Sequence, residues 1–235
     1  MILDSLPFGT GDLLAFFYFL LVWLGFTWLV EHSFGGRVTL SAAMNRHRTD
    51  WIRTMARRDL RMIDTSIIAG LQNGTAFFAS SSLIALGGVF ALMGSPEKVA
   101  GVVGELTPGL TADGRLVEAK LVGMVAILAY AFFKFGWAYR LFNYCSILIG
   151  AVPMKGDLSE GGDPALDRHV EQAARMNVLA GKHFNAGLRG VFFSIGYLGW
   201  FANPLVFALS TTFIAAVLVR RQFFSQARRA AAGDF

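Results

Sequence analysis

The residues best suited to chemistry lie in one apolar stretch that begins directly after a run of arginines at residues 57–61. An aspartate opens the stretch, and amides and hydroxyls continue along it to residue 82. At about 100° per residue, Asp64, Gln72 and Ser82 share one flank of a helix. Polar groups inside a bilayer are costly unless they are paired or face water. A helix here is therefore expected to turn its polar flank toward protein or water and its other flank toward lipid.

Further polar residues are expected at a similar depth in the membrane. They stand near the ends of later apolar stretches, and Glu31 and His32 reach the same boundary from the first one. The candidate polar cluster comprises Asp64, Gln72, Asn73, Arg140, Asn143, Asn185 and Arg189. Such a cluster could form a cytoplasmic vestibule for an ion or a small polar solute. Alternatively, a bridge from Asp64 to Arg140 or Arg189 could simply lock helix ends together, and the first of these pairs is the one we predict.

Motifs for catalysis or cofactor binding are absent from the sequence. No phosphate loop, G-x-S-x-G or H-E-x-x-H pattern occurs, and the histidines have no close ligand spacing. Cys145 is the only cysteine, which excludes an intrachain disulfide and a paired-cysteine metal site. We therefore expect no catalytic residues, no metal and no cofactor, and nothing in the sequence supports an enzyme.

The composition is that of a membrane protein. Of 235 residues, 54% are hydrophobic and only 16% are charged, against about 25% charged in soluble domains. The excess of basic residues lies outside the apolar stretches, so it fits membrane topology and lipid-surface charge rather than nucleic-acid binding. The bilayer is the expected partner, and no nucleic-acid partner is expected.

The distribution of arginine predicts the orientation in the membrane. Seven arginines lie between Gly35 and Met62, and cytoplasmic loops are the ones that collect Lys and Arg. The N-terminal segment before Gly11 has neither. We predict a multi-pass protein of the cytoplasmic (inner) membrane with its N-terminus outside.

The apolar pattern predicts an all-α polytopic membrane fold in a single domain, residues 1–235, with four to five membrane segments. Two further amphipathic stretches, 40–62 and 164–186, are predicted as packed cytoplasmic helices. Residues 94–118, with two prolines and four glycines before residue 110, are predicted to be a poor helix outside the membrane. The predicted membrane segments are 12–30, 64–93, 119–145, 188–202 and 204–219.

The last two segments are separated by Asn203-Pro204, where proline removes a backbone donor and disfavours helix in the preceding residue. A hairpin at this point returns Arg220 and Arg221 to the cytoplasm. One kinked helix would leave them outside. We favour the hairpin, although each arm, at roughly 23 Å, is short for a full crossing.

Several blocks of sequence resemble one known family. They are R-R-D-L-R-M-I-D-T-S-I-I-A-G-L-Q-N-G-T-A-F-F from Arg57, F-F-K-F-G-W-A-Y-R-L-F-N-Y from Phe132, F-N-A-G-L-R-G from Phe184 and V-L-V-R-R-Q-F-F-S from Val217. These blocks are similar to the multi-pass membrane family filed as domain of unknown function 599. The resemblance extends from about Leu13 to Ala227. It implies a helical membrane protein and no particular reaction.

Two functional hypotheses follow from these observations. In the first, several copies form a homo-oligomeric channel or transporter for an ion or small polar solute, with the polar flank of residues 64–82 facing the shared axis. In the second, the protein is a non-catalytic accessory or assembly subunit that uses the small residues of that flank to bind another membrane subunit. We favour the first, because the inner polar cluster comes from the chain itself.

Overall fold

The computed structural model describes residues 8–32, 38–106, 114–154 and 164–234. In these ranges all regular secondary structure is helical and no strand occurs, which confirms the predicted all-α fold class. The helices are α1 (Thr10–Glu31), α2 (Leu40–Ala56), α3 (Met62–Met93), α4 (Pro96–Leu106), α5 (Gly114–Ala151), α6 (Pro164–Tyr197), α7 (Gly199–Ala202), α8 (Pro204–Phe223) and α9 (Gln226–Ala232).

Four of the described helices are long and apolar enough to cross a membrane. They are α1, α3, α5 and the run Pro204–Ala232, which α8 opens. Much of their surface is apolar and exposed, including Leu21 at 70%, Ile84 at 76% and Phe133 at 70%. Exposed apolar area on this scale is the surface that lipid covers in a membrane protein.

α5 lies between α3 and α6 and supplies much of the protein core. Its buried residues recur every three or four positions and combine small with large side chains, as helix packing requires. One close approach depends on Gly187 of α6, because a Cβ atom there would lie 2.7 Å from the Phe135 ring. The buried residues in this part of α5 are Met124, Ile127, Leu128, Ala131, Phe135, Ala138, Leu141, Phe142, Cys145 and Ile149.

The chain reverses direction at Asn203, between α7 and α8. The Asn203 side chain accepts a hydrogen bond from the backbone N–H of Val206 at 2.8 Å, and Pro204 follows at the first helical position. Beyond the turn, Ser210 Oγ donates to the Gly196 carbonyl at 2.6 Å. α8 therefore packs back along the end of α6 as a hairpin.

An aromatic cluster fixes this hairpin to α1. The rings of Trp200 and Phe207 stack at 5.0 Å, and Phe19 of α1 lies 5.2 Å from Phe207. Tyr197 contacts all three rings. Offset and edge-to-face pairs of this kind stabilise a core beyond the area that they bury.

The hairpin brings the C-terminal ends of α1 and α8 together with α2 and α9. Ser41 donates to Gln222 Oε1 at 3.2 Å, and the His47 ring is hydrogen-bonded to the Ala231 carbonyl at 2.8 Å. We call this part of the molecule the arginine-rich end. Apolar residues of α2, α5 and α6 form its core, namely Ile52, Met55, Ala56, Cys145, Ile149, Val170, Ala173 and Ala174.

The sequence analysis separated residues 164–186 from a membrane segment at 188–202, and the structure joins them. α6 runs without interruption from Pro164 to Tyr197. Gly187 and Gly190, at the predicted boundary, lie inside the helix, and side chains on α5 occupy the space where a Cβ atom would be. Close helix contact, and not a break, explains these glycines.

Two other predicted boundaries differ from the structure. The predicted helix 40–62 ends at Ala56, and residues 57–61 turn into α3. Residues 94–118, predicted to be a poor helix, contain α4, whose Ala100 packs on Val117 and Leu121. Pro96 occupies the first position of that helix, where the missing backbone N–H of a proline costs little free energy.

Candidate functional site

A polar cavity opens at the arginine-rich end, where α1 terminates between α2, α6 and α8. Two adjoining hollows of about 140 and 390 Å³ share the lining residues Ser41, Asn45, Asn185 and Arg189. We call the two hollows together the cationic cavity. Apolar side chains form the rest of its wall, among them Phe26, Phe184, Leu188, Phe192 and Leu218.

Arg189 on α6 is the most deeply placed cation in the cavity wall. Only 8% of its surface is exposed. Its Nη2 lies 3.2 Å from Glu31 Oε1, and the side chain of Glu31 is itself 53% exposed. The Nε atom has no hydrogen-bond partner in the described structure. A buried guanidinium with one long contact and an unused donor retains much of its capacity to bind an anion.

Arg48 on α2 also lines the cavity, and its guanidinium packs on α6. Its Nη1 donates to Asn177 Oδ1 at 2.7 Å, and its guanidinium lies 5.8 Å from the centre of the Phe142 ring. Gly181 makes room for it, since a Cβ atom there would lie 2.9 Å from the guanidinium carbon. Burial lowers the pKa of Arg48 from its usual value, although an arginine stays protonated.

The charges that line the cavity are unbalanced. Among the described lining residues, Arg48, Lys182, Arg189 and Arg221 carry positive charge, and Glu31 alone carries negative charge. Arg221 stacks 5.4 Å from the Phe192 ring, so its partner in the protein is an aromatic face and not a carboxylate. The cavity therefore combines several charge-assisted donors with a shortage of acceptors.

Asp64, the first residue of the predicted cluster, lies outside this cavity. Its carboxylate is fully buried and pairs with Arg58. Trp51 Nε1 also donates to the same oxygen at 2.7 Å. The predicted pair with Arg140 is wrong: that arginine is exposed and hydrogen-bonds Tyr144 instead. The alternative partner, Arg189, pairs with Glu31.

Two other members of the predicted cluster meet between α3 and α5. Gln72 Nε2 donates to Asn143 Oδ1 at 2.6 Å. Asn73, the next residue, lies on the exposed face of α3. The seven residues that the sequence analysis grouped are therefore distributed over several places, and Asn185 and Arg189 are the two that line the cationic cavity.

Sequence reasoning missed Arg48, Lys182 and Arg221 as site residues. A basic loop near a membrane usually reflects topology, so no single arginine in it is distinctive. One signal was available for Arg48. Ala180 and Gly181 follow Asn177 by three and four positions on α6, which indicates a face made for close approach.

A second polar group, also missed, lies at the end of the molecule opposite to α2. Lys120 is only 5% exposed, and its Nζ lies 3.5 Å from Asp12 Oδ1 and donates to the Trp200 carbonyl at 2.8 Å. The Trp200 indole donates to Asp12 at 2.6 Å. This compact group joins α1, α5 and α7, and its donors and acceptors satisfy one another.

No group of three or more His, Cys, Asp or Glu side chains that could hold a metal ion is found within the described ranges. Cys145 is a buried residue of α5, and its thiol makes a weak contact with the Ala173 carbonyl at 3.5 Å.

The helices and the cavity define the class of this chain, which is a polytopic helical membrane protein. Its sequence matches the family described as "Protein of unknown function, DUF599" over residues 14–227. The match covers most of the chain, and the protein belongs to that family. No curated protein and no solved structure gives a significant match.

Proposed function

We propose that the protein is a channel- or transporter-like membrane protein that receives a small anion in the cationic cavity. The observation that carries the proposal is the charge balance of that cavity, where four cationic side chains line the wall with one carboxylate. Clefts lined by one sign of charge and bounded by apolar walls concentrate ions of the opposite sign.

The expected orientation places the cavity at the cytoplasmic face of the inner membrane. The arginines of α2, the 57–61 turn, α8 and α9 all belong to the same end of the molecule. Basic residues collect on the cytoplasmic side of membrane proteins. The proposal therefore has the anion enter from the cytoplasm, with the N-terminus on the outer side.

The proposal includes assembly of several copies, but a different face of α3 forms the contact between them. The flank of α3 that was expected to face a shared axis packs on α5, where Asp64, Thr75 and Ser82 are buried. The outer face of α3 instead exposes Asn73 and Ser80. A homo-oligomer would bring these exposed polar groups together, because amides and hydroxyls bond helices to one another in lipid.

Flux in liposomes tests this function. Purified protein is reconstituted, and efflux of chloride and of radiolabelled phosphate is compared with that from empty vesicles. We expect anion efflux that Arg189→Gln lowers by about tenfold or more, because one charge-assisted donor is lost. Arg53→Gln is the matched control: this α2 arginine has a side chain 59% exposed and lies outside the cavity, so its efflux should equal that of the wild type.

A second candidate function is that of an accessory subunit of a larger membrane complex. The exposed amide of Asn73 favours it, since the described structure gives that side chain no hydrogen bond and a foreign helix could supply one. Stoichiometric co-purification with another membrane protein, together with no anion efflux and no anion binding by the purified chain, would decide for this candidate and against the first.

A further inference from the structure

We propose that the anion for which the cationic cavity is built is the phosphate of a membrane lipid whose head group has a net negative charge, and that the lipid tail lies in an apolar groove between α1 and α8. The inference rests on the proposed function only in that both place an anion at this cavity. It adds the class of ligand and a second site, the groove, which binds hydrocarbon.

The head-group part of the site is already assembled in the protein. Arg189 is more than nine-tenths buried, lines both hollows of the cavity and has an unpartnered Nε. Arg48 also lines the larger hollow and is held by Asn177 and Phe142, with no carboxylate partner among the described residues. Guanidinium groups present parallel N–H donors that match the oxygens of a phosphate.

The tail part of the site is a groove of about 420 Å³ on the outer surface of α1 and α8. Only apolar residues and a glycine line it, and Phe26 lines both the groove and the cationic cavity. The two spaces are therefore adjacent, one charged and one apolar. The lining residues of the groove are Leu21, Val22, Gly25, Phe26, Trp28, Leu29, Ala215 and Val219.

This pairing of charge with apolar surface favours a lipid over a free anion. A free anion would use the cationic cavity alone and would leave the adjoining groove to any hydrocarbon chain. A lipid with a phosphate head and a hydrocarbon tail fills both spaces with one molecule. Basic pockets between membrane helices on the cytoplasmic side suit such head groups, and each buried methylene of a tail adds to the affinity.

Lipid binding is measured by native mass spectrometry of the full chain in mild detergent. Dioleoyl phosphatidylglycerol and dioleoyl phosphatidylcholine are added at equal concentration, so that the tails are identical and the net charge of the head differs. We expect a preference for phosphatidylglycerol of about tenfold or more, falling toward one in Arg189→Gln. Lys182→Gln, at an exposed position in the cavity wall, serves as a second variant that leaves the core intact and should lower the preference several-fold.

Gly25→Leu tests the groove. Gly25 lines the groove, and a Cβ atom there would meet nothing within 4 Å, so the position admits a side chain that would occupy the groove. We expect it to weaken phosphatidylglycerol binding by about tenfold, as loss of a few buried methylenes would. Gly136→Leu on α5, also exposed and free of close contacts, is the matched control and should bind lipid like the wild type.

Inorganic phosphate and glycerol 3-phosphate test whether the cavity binds a free anion instead of a lipid. If they stabilise the protein against heat in an Arg189-dependent way while the two lipids bind equally and Gly25→Leu has no effect, the lipid inference is overturned and the anion function stands. If neither phosphate nor either lipid binds with any dependence on Arg189 or Lys182, both proposals fail. Selective, Gly25-sensitive binding of phosphatidylglycerol supports the inference.

Discussion

The ion pair that Asp64 forms depends on a local break between two helices. The sequence analysis identified it as a polar group that must be satisfied, and the structure buries it completely. Its partner, Arg58, was missed because residues 40–62 were predicted to be one helix. In an unbroken helix, positions 58 and 64 would point about 120° apart and lie about 9 Å apart along the axis, whereas the turn at residues 57–61 brings the two together.

Asp64→Asn is expected to destabilise the protein by roughly 1–3 kcal/mol, because it leaves Arg58 without its charge partner and weakens the bond from Trp51. Reversible unfolding in mixed micelles, monitored by circular dichroism, measures the change. A double-mutant cycle with Arg58→Gln should show coupling between the two sites.

Arg140→Gln is the control for the same experiment, since Arg140 was the partner predicted from sequence and is exposed in the structure. Its effect should stay within about 0.5 kcal/mol, as for other surface changes. Coupling of Asp64 to Arg140 rather than to Arg58 would show that the pairing described above is incorrect.

At the scale of elements, α6 was predicted as two helices because an amphipathic stretch, 164–186, is followed by an apolar one, 188–202, and its glycines do not indicate continuity. Gly181, Gly187 and Gly190 fall within ten residues, a density that normally indicates a break. In the structure each faces a side chain of another helix, respectively Arg48, Phe135 and Tyr130. A sequence does not distinguish a glycine that ends a helix from one that makes room for a side chain of a neighbouring helix, because both positions require a residue without a Cβ atom.

Gly187→Ala and Gly136→Ala should have opposite effects. The first places a Cβ atom 2.7 Å from the Phe135 ring, and forcing α5 and α6 apart is expected to cost about 1–3 kcal/mol. The second meets nothing within 4 Å, so the better helix propensity of alanine should leave stability unchanged or raise it by about 0.5–1 kcal/mol. Unfolding in mixed micelles compares them, and equal losses for the two variants would refute this packing.

At the scale of the whole molecule, hydropathy and charge were sufficient to predict the general architecture. Long apolar runs identified the helices that can cross the membrane, and arginine identified one end of the protein. The side of α3 that packs inside the molecule was also identifiable, as the flank of Asp64 and Gln72. The surface against which this flank packs could not be predicted, because either a shared axis or α5 would satisfy its polar groups. The hydrogen bond from Gln72 to Asn143 shows that it packs on α5.

Labelling of single cysteines tests the arrangement of the whole chain. In a Cys145→Ala background, Arg46→Cys and Arg229→Cys should react with an impermeant maleimide from the cytoplasmic side only, because α2 and α9 lie side by side. Lys98→Cys, on α4, should react from the other side only. Labelling of positions 46 and 229 from opposite sides would contradict the hairpin at Asn203.

The uninterrupted course of α6 has a mechanical consequence. Its 34 residues form a rod of about 51 Å. Arg48 of α2 contacts it near its middle, at Asn177 and Gly181, and the Trp200 group lies just beyond its C-terminal end. A continuous helix without an internal break transmits tilt and rotation along its length. A displacement of α2 against α6 is therefore expected to reach Lys120, whose carbonyl accepts a hydrogen bond from Tyr197 at the last residue of α6, so that this helix would act as a lever between the cationic cavity and the Lys120 group.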